Sequence, residues 1–337
     1  MFKKIFLLNI IFLLIFIFLL EVIARFFQLS DLTGISKNLL IYENNIQKNA
    51  PNIEASAFSK KVYTDNFGFR VPNKNYRYSN ESSSVLILGD SVSFGVGVEE
   101  HETFVGLLRK EFKELNFFNS SVSGYHLKHY PFIIEENKNL DKLNEIIFFL
   151  TLNDISFEKT LLNVNEQIKK EISNKKINFF NKLKENIYFT KLNIFLRNKS
   201  KFYMWAKGVI TKPSERHFNY TFPLYQDKHA VNEVNKELEK LKIAAHKNNF
   251  NLYVVILPYE FQTRPENCNI NFLTPQFELK NILNNLNIKF KDYTEIFCKN
   301  KKPSSLFLKF DPVHLSIKGH SLVFNLLRKD LNYLQKY

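Results

Sequence analysis

Glycine is scarce in this 337-residue chain, nine residues in all, and three of the nine fall within Gly89-Asp90-Ser91-Val92-Ser93-Phe94-Gly95-Val96-Gly97. The run follows directly on Val85-Leu86-Ile87-Leu88, a short apolar stretch that reads as a buried strand. In α/β domains, sites gather beyond the carboxyl ends of parallel strands. A serine there, in a tight glycine-flanked turn, can present its hydroxyl while nearby backbone N–H groups point outward. Ser91 is the candidate nucleophile, and a serine hydroxyl needs a base. Asp311-Pro312-Val313-His314 offers one. Its three-residue spacing can set a carboxylate beside an imidazole on one turn, so that Asp311 fixes the ring tautomer and the other nitrogen takes the serine proton. Each half alone is a common pattern; together they point to acyl transfer through serine.

Other chemistries lack their residues. Position 93 is Ser93, so the Gly-x-Ser-x-Gly elbow is not formed. Gly95 and Gly97 lack the third glycine of a dinucleotide fingerprint, and the sequence contains no P-loop and no His-Glu-x-x-His. His126 and His129 are three apart without an evident third ligand, so no metal site is expected. His320 reads as a helix-face residue.

The elements that must position Ser91 and His314 alternate. Strands are expected at 85–89, 117–122, 145–151 and 251–258, with a further one in 288–297. Helices are expected at 102–115, 231–248, 275–286 and 317–334. Strands alternating with helices imply an α/β domain built on a parallel sheet. Hydrophobic residues at 45% and charged residues at 24% exclude a mainly disordered chain and a multi-span membrane protein. Two cysteines exclude a disulfide-rich scaffold and a four-cysteine zinc site.

The N-terminus sets the expected compartment. Ile5–Leu20 is apolar except for Asn9, and apolar character continues to Phe27, interrupted by Glu21 and Arg25. A bilayer-spanning helix needs about 20 residues. Lys3 and Lys4 precede the run, which keeps the N-terminus cytoplasmic under the positive-inside rule. No small-x-small site follows the run, so it reads as an uncleaved signal anchor rather than a cleaved leader. The expected division is an anchor at 1–27, a membrane-proximal stalk at 28–61 and a catalytic domain at 62–337. That domain would lie across the membrane, where Cys268 and Cys298 could pair or remain two core thiols. The formal net charge is +14, and residues 159–216 hold 14 Lys/Arg against four Glu. This basic, aromatic-rich stretch belongs to a helical insertion at about 156–230. It reads either as a solvated face or as a surface for anionic headgroups or an acidic glycan.

Order and spacing of these motifs resemble the SGNH/GDSL hydrolase superfamily, over roughly residues 62–334. Gly89-Asp90-Ser91 is similar to the first block, Gly124 after the second strand to the second, Leu152-Asn153-Asp154 to the third, and Asp311…His314 to the fourth. Thr64-Asp65-Asn66-Phe67-Gly68-Phe69-Arg70 resembles the lead-in segment of membrane-anchored bacterial members. Thr151 departs from the family, which has glycine there, and is expected to put a side chain beside the substrate.

The resemblance implies a flavodoxin-like three-layer α/β/α sandwich, no cofactor and no metal. It also implies an oxyanion hole from Ser91, Gly124 and Asn153. The implied activity is a serine esterase acting on O-acyl, foremost O-acetyl, esters of an envelope glycan or lipid. Two alternatives stand beside it: an O-acetyltransferase with the same Ser91, His314 and Asp311, working with a membrane acyl donor, and a catalytically idle glycan-binding module. Nucleic acid is not an expected partner.

Overall fold

The computed structural model describes residues 2–43, 46–155 and 187–331. Residues 156–186 of the expected insertion, and 332–334 of the expected last helix, lie outside the described residues. Helix α1 (Phe2–Phe26) comes first. Five short strands follow: β1 (Leu40–Glu43), β2 (Ile46–Asn49), β3 (Glu54–Ala57), β4 (Lys60–Thr64) and β5 (Arg70–Val71). The α/β core then runs β6 (Ser83–Leu88), α2 (Ser91–Phe94), α3 (Phe104–Glu111), β7 (Leu115–Asn119), α4 (Tyr130–Asn137) and β8 (Leu143–Thr151). After the undescribed segment come α5 (Ile187–Lys199), α6 (Lys201–Thr211), α7 (Pro213–Thr221) and α8 (Lys228–Lys247). The chain continues through β9 (Asn251–Leu257), α9 (Glu260–Thr263), α10 (Thr274–Asn285), β10 (Lys289–Asp292), α11 (Thr294–Cys298) and α12 (Ile317–Asp330).

Strands β10-β9-β8-β6-β7 form one sheet in that order, and every pairing is parallel. Counted along this sheet, the order is 2-1-3-4-5, that of a flavodoxin-like doubly wound fold. Burial on both faces explains why β6 and β8 read as nearly unbroken apolar runs. Helix α3 packs on α12, while α8 packs on α4 and α10. These two groups are the outer layers. The sheet reverses direction of travel at β6, so the crevice beyond the ends of β6 and β8 is the switch point where such folds place ligands.

Expected and observed elements differ mainly at their ends. The 288–297 segment is strand only over β10; Thr294–Cys298 is helix. The helix expected at 102–115 is α3 preceded by a 3₁₀ turn over Glu100–Glu102, with a capping box between Glu99 and Glu102.

Residues 28–61, expected as a membrane-proximal stalk, carry β1, β2, β3 and the start of β4. Leu39, Ala57 and Val62 form a small core with Phe94 and Val96, just past the Ser91 turn. The strands are too short and too mixed in polarity to show a period, yet they fold because the α/β domain offers them an apolar partner.

Cys268 and Cys298 form a disulfide with Cα atoms 6.0 Å apart. Closing a 30-residue loop restricts the unfolded chain by about 3–4 kcal/mol in the chain-entropy model. Replacing both cysteines by serine is expected to lower unfolding stability by that amount, read as a lower urea midpoint. An unchanged midpoint would show that the bond contributes nothing.

Candidate active site

Ser91 occupies the first position of α2, directly beyond β6. Asp90 caps this one-turn helix, its Oδ1 accepting from Val92 N–H at 2.8 Å. Gly95 ends it at φ +82°, and a Cβ there would come within 2.5 Å of Thr103 Cγ2. Glycine is what allows so short a helix to turn back. The first N–H groups of a helix have no intrahelical partner, which leaves the Ser91 N–H available beside its own hydroxyl.

His314 reaches Ser91 from the far end of the chain. Its Nε2 lies 2.8 Å from Ser91 Oγ, and its Nδ1 lies 2.8 Å from Asp311 Oδ2. Asp311 Oδ1 accepts from the Val313 and His314 backbone N–H groups at 2.9 and 2.8 Å. Both carboxylate oxygens are therefore held, and the ring is aimed. Burial works against the Asp311 charge, but the charge and hydrogen bonds of His314 and the Val313 N–H outweigh it, holding the carboxyl below its ordinary range. Burial likewise disfavours imidazolium at His314, but the charge and hydrogen bond of Asp311, with the charge of Asp90, raise its pKa above the ordinary histidine value.

Asn153 stands beyond β8 in a 3₁₀ turn. Its Nδ2 donates to Asp90 Oδ2 at 2.8 Å, and its Oδ1 accepts from Tyr259 O–H at 3.3 Å. An acceptor on one side and a donor on the other fix which way the amide faces. Its second N–H is taken up by neither of these partners. Gly124 follows β7 at φ +89°, and a Cβ there would meet nothing nearer than Gln47 Nε2 at 3.5 Å. Its loop runs beside the Ser91 turn, because Val122 N–H donates to Gly89 O at 3.3 Å.

Thr151 does not border the substrate as expected. It is 2% exposed, and its hydroxyl lies 3.1 Å from both Asp90 Oδ2 and Asp154 Oδ2. One hydroxyl proton serves only one carboxylate. Burial and the negative charge of Asp90 push the Asp154 pKa well up. The Thr151 hydroxyl bridges the two carboxylates, and Asp154 is held besides by the Thr151 N–H at 2.7 Å and the Tyr130 hydroxyl at 2.6 Å. The Thr151 side chain thus braces Asp90 and, through it, Asn153.

His320 lies on α12 as expected, on the face turned into the core. Its Nδ1 accepts the Phe104 N–H at the start of α3, 3.3 Å away. Burial, reinforced by the charges of Arg70 and His314, pushes its pKa down to about 3, so the ring stays neutral.

Two residues of the site, Tyr259 and Phe58, have no motif, and a third, Arg70, closes the Thr64–Arg70 segment without having been expected at the site. Tyr259, at the end of β9, orients Asn153. Phe58 stands edge-on to His314, ring centroids 5.1 Å apart at 77°. It occupies the two-residue turn between β3 and β4, where Phe58 (φ +50°) and Ser59 (φ +65°) are both left-handed. Asn-Gly is the usual pair in such a turn, and a bulky residue there costs about 1–2 kcal/mol. That strain is held in place at the ring of His314. Arg70 is fully buried and donates to Phe94 O (2.7 Å), Gly95 O (2.5 Å) and Val98 O (2.8 Å), the carbonyls that follow Ser91.

No family model and no curated protein matches this chain. Among solved structures it is similar to TesA, with 12% identity and a TM-score of 0.44, over 75% of this chain and 99% of that one. It is similar also to the psychrotrophic esterase EstA from Pseudoalteromonas sp., with 12% identity and a TM-score of 0.41, over 76% of this chain and 100% of that one. A third is a member of the lipolytic protein G-D-S-L family from Veillonella parvula, with 14% identity and a TM-score of 0.41, over 74% of this chain and 97% of that one. At such identities and scores the likeness carries no argument about chemistry. The geometry of Ser91, His314 and Asp311 has to carry it.

Proposed function

We propose that this chain is a membrane-anchored serine esterase of the SGNH/GDSL type, hydrolysing O-acyl esters, foremost O-acetyl, on an envelope glycan or lipid. The observation that carries the reading is the unbroken chain Ser91 Oγ–His314 Nε2 and His314 Nδ1–Asp311 Oδ2, with both links 2.8 Å. Two further observations support the setting. Among the described residues, one helix, within α1, is long and apolar enough to span a membrane. The Cys268–Cys298 bond suits an oxidising compartment, so the domain would sit outside the cytoplasm with Lys3 and Lys4 inside.

In this reading Ser91 Oγ attacks the ester carbonyl as His314 Nε2 takes its proton. Asp311 accepts from Nδ1 and stabilises the imidazolium that forms. The carbonyl oxygen becomes an oxyanion, bound by the Ser91 and Gly124 N–H groups and the free amide N–H of Asn153. Each such donor stabilises the transition state by about 2.7–4 kcal/mol. The intermediate collapses, and the departing alcohol takes the proton from His314. Water, activated by the same nitrogen, then releases the acid and restores Ser91.

The test is fluorophosphonate labelling of the full chain in detergent, with p-nitrophenyl acetate turnover alongside. The expected result is hydrolysis together with a covalent adduct on the peptide that contains Ser91. A folded protein giving neither signal would overturn the reading, and an adduct on another residue would move the nucleophile.

A further inference from the structure

The end of α1 is fastened to the helices that follow the undescribed segment. Glu21 accepts from Ser200 Oγ (2.7 Å), Lys201 N–H (3.1 Å) and Phe202 N–H (3.0 Å), which open α6. Arg25 donates to Lys199 O at 2.6 Å, and Ser30 donates to Lys201 O at 2.6 Å. Thr33 and Arg197 exchange two hydrogen bonds, Thr33 N–H to Arg197 O (3.3 Å) and Arg197 Nε to Thr33 Oγ1 (3.0 Å). A helix of about 20 apolar residues fills the hydrocarbon layer, so from Ile5 the layer ends near Glu21–Arg25. The α5–α6 junction is bonded to α1 at that depth.

These helices carry the side chains such a position calls for. On α5, Lys191, Leu192, Phe195 and Lys199 share one face by their three- and four-residue spacing. Leu192 is 52% and Phe195 58% exposed, and on α6 Ile210 is 79% exposed. Residues 187–212 contain six Lys/Arg and no Asp/Glu. Exposed apolar side chains interleaved with lysine suit the boundary between acyl chains and anionic headgroups. The catalytic loop is stitched to the same place. Lys309 N–H donates to Asp31 Oδ2 at 2.9 Å, Lys309 Nζ bonds to Gln28 O, and Phe310 packs on Gly208 of α6, one residue before Asp311.

We propose that the Lys191–Leu192–Phe195–Lys199 face of α5, with Ile210 of α6, lies on the anionic headgroup surface where α1 leaves the bilayer. It thereby holds the Asp311–His314 loop at that surface, where the ester would be a membrane-bound one. This rests on α1 spanning the membrane, and the test separates the two.

Trp205 is the sole tryptophan, so W205F gives a silent background. In full-length protein in lipid nanodiscs, F195W reads the proposed face and F12W reads the interior of α1. With equal phosphatidylcholine and phosphatidylglycerol, Trp at 195 is expected to emit at shorter wavelength and to be quenched by lipids carrying a shallow nitroxide. That quenching is expected to be lost in phosphatidylcholine alone or on adding K191E and K199E. Trp at 12 is expected to be quenched by deep nitroxides in both lipids. Quenching at 12 without quenching at 195 overturns the docked face and leaves the anchor standing. A blue-shifted but unquenched signal at 195 also overturns it, because something other than lipid then covers the face. No quenching at 12 overturns the anchor, and the proposal with it. Hydrogen exchange on the unmodified chain gives an independent reading: α5 amides exchange more slowly in the anionic discs than in the neutral ones, and equal rates overturn the proposal.

Discussion

Ser91→Ala and His314→Ala are each expected to reduce ester turnover by about 10⁴–10⁶-fold, and the double variant by no more than either alone. The non-additivity follows from the geometry. His314 Nε2 has one proton to collect, that of Ser91 Oγ at 2.8 Å, and without either partner the other has no task. Asp311→Asn is expected to cost about 10³–10⁴-fold for a different reason. An asparagine Oδ1 still accepts the Val313 and His314 N–H groups, so the turn persists. Its amide then faces Nδ1, which becomes the acceptor, and the ring proton moves to Nε2, where the base is needed. The pH profile separates this from a loss of fold. The base works only when neutral, so activity rises with pH through the His314 pKa. Asp311 holds that pKa above the ordinary histidine value, and the acid limb of the wild-type profile therefore lies above pH 6.5. In Asp311→Asn the residual activity should have its acid limb displaced downward. An unshifted limb, or Ser91 and His314 effects that multiply, would show that the three do not act as a unit.

Ser91, Asp311 and His314 are legible in the sequence because their signals are local. A glycine-flanked serine after an apolar run shows itself in nine residues, and a carboxylate three residues before a histidine shows itself in four. The parallel sheet is legible because β6 and β8 are buried on both faces and cannot be read as loops. What escapes is whatever depends on contact across the chain. The turn at Phe58–Ser59 contains neither glycine nor asparagine, so nothing local marks it. Its left-handed backbone is sustained by the β3–β4 pairing and by the packing around it. Tyr259 is one more apolar-looking residue at a strand end until Asn153 is placed beside it. Thr151 misleads in the opposite direction: the substitution is visible, but only the positions of Asp90 and Asp154 show that the side chain turns inward. The proximity of Cys268 and Cys298 is likewise a matter of tertiary distance, and sequence leaves it open.

Arg70 is where the strands before the core hold the Ser91 turn, and its removal is expected to have the largest effect on stability. Its guanidinium is fully buried, and burial pushes its pKa down only to about 10, so it remains charged at neutral pH. Three of its hydrogen bonds go to the carbonyls of Phe94, Gly95 and Val98, which the tight turn after Ser91 leaves without helical partners. A fourth, to Lys61 O at 3.3 Å, ties β4 to the same point. Arg109 supports the arrangement from behind, donating to Arg70 O at 3.0 Å and pairing with buried Glu100. Arg70→Met keeps much of the volume but strands these acceptors in the interior, at an expected cost of roughly 3–5 kcal/mol. That is a large share of the ~5–15 kcal/mol that holds a typical domain folded. Arg70→Lys keeps the charge, yet one ammonium lacks the planar fork and cannot meet carbonyls on both sides, so it should lose about half as much. Urea unfolding of the full chain measures the stability change. The rate of fluorophosphonate labelling, taken where each variant is still folded, reports the turn itself. If Arg70 only filled space, Arg70→Met would unfold near the wild-type midpoint and label at the wild-type rate. If it holds the nucleophile turn, Arg70→Lys should label more slowly than wild type even under conditions where its fold is intact.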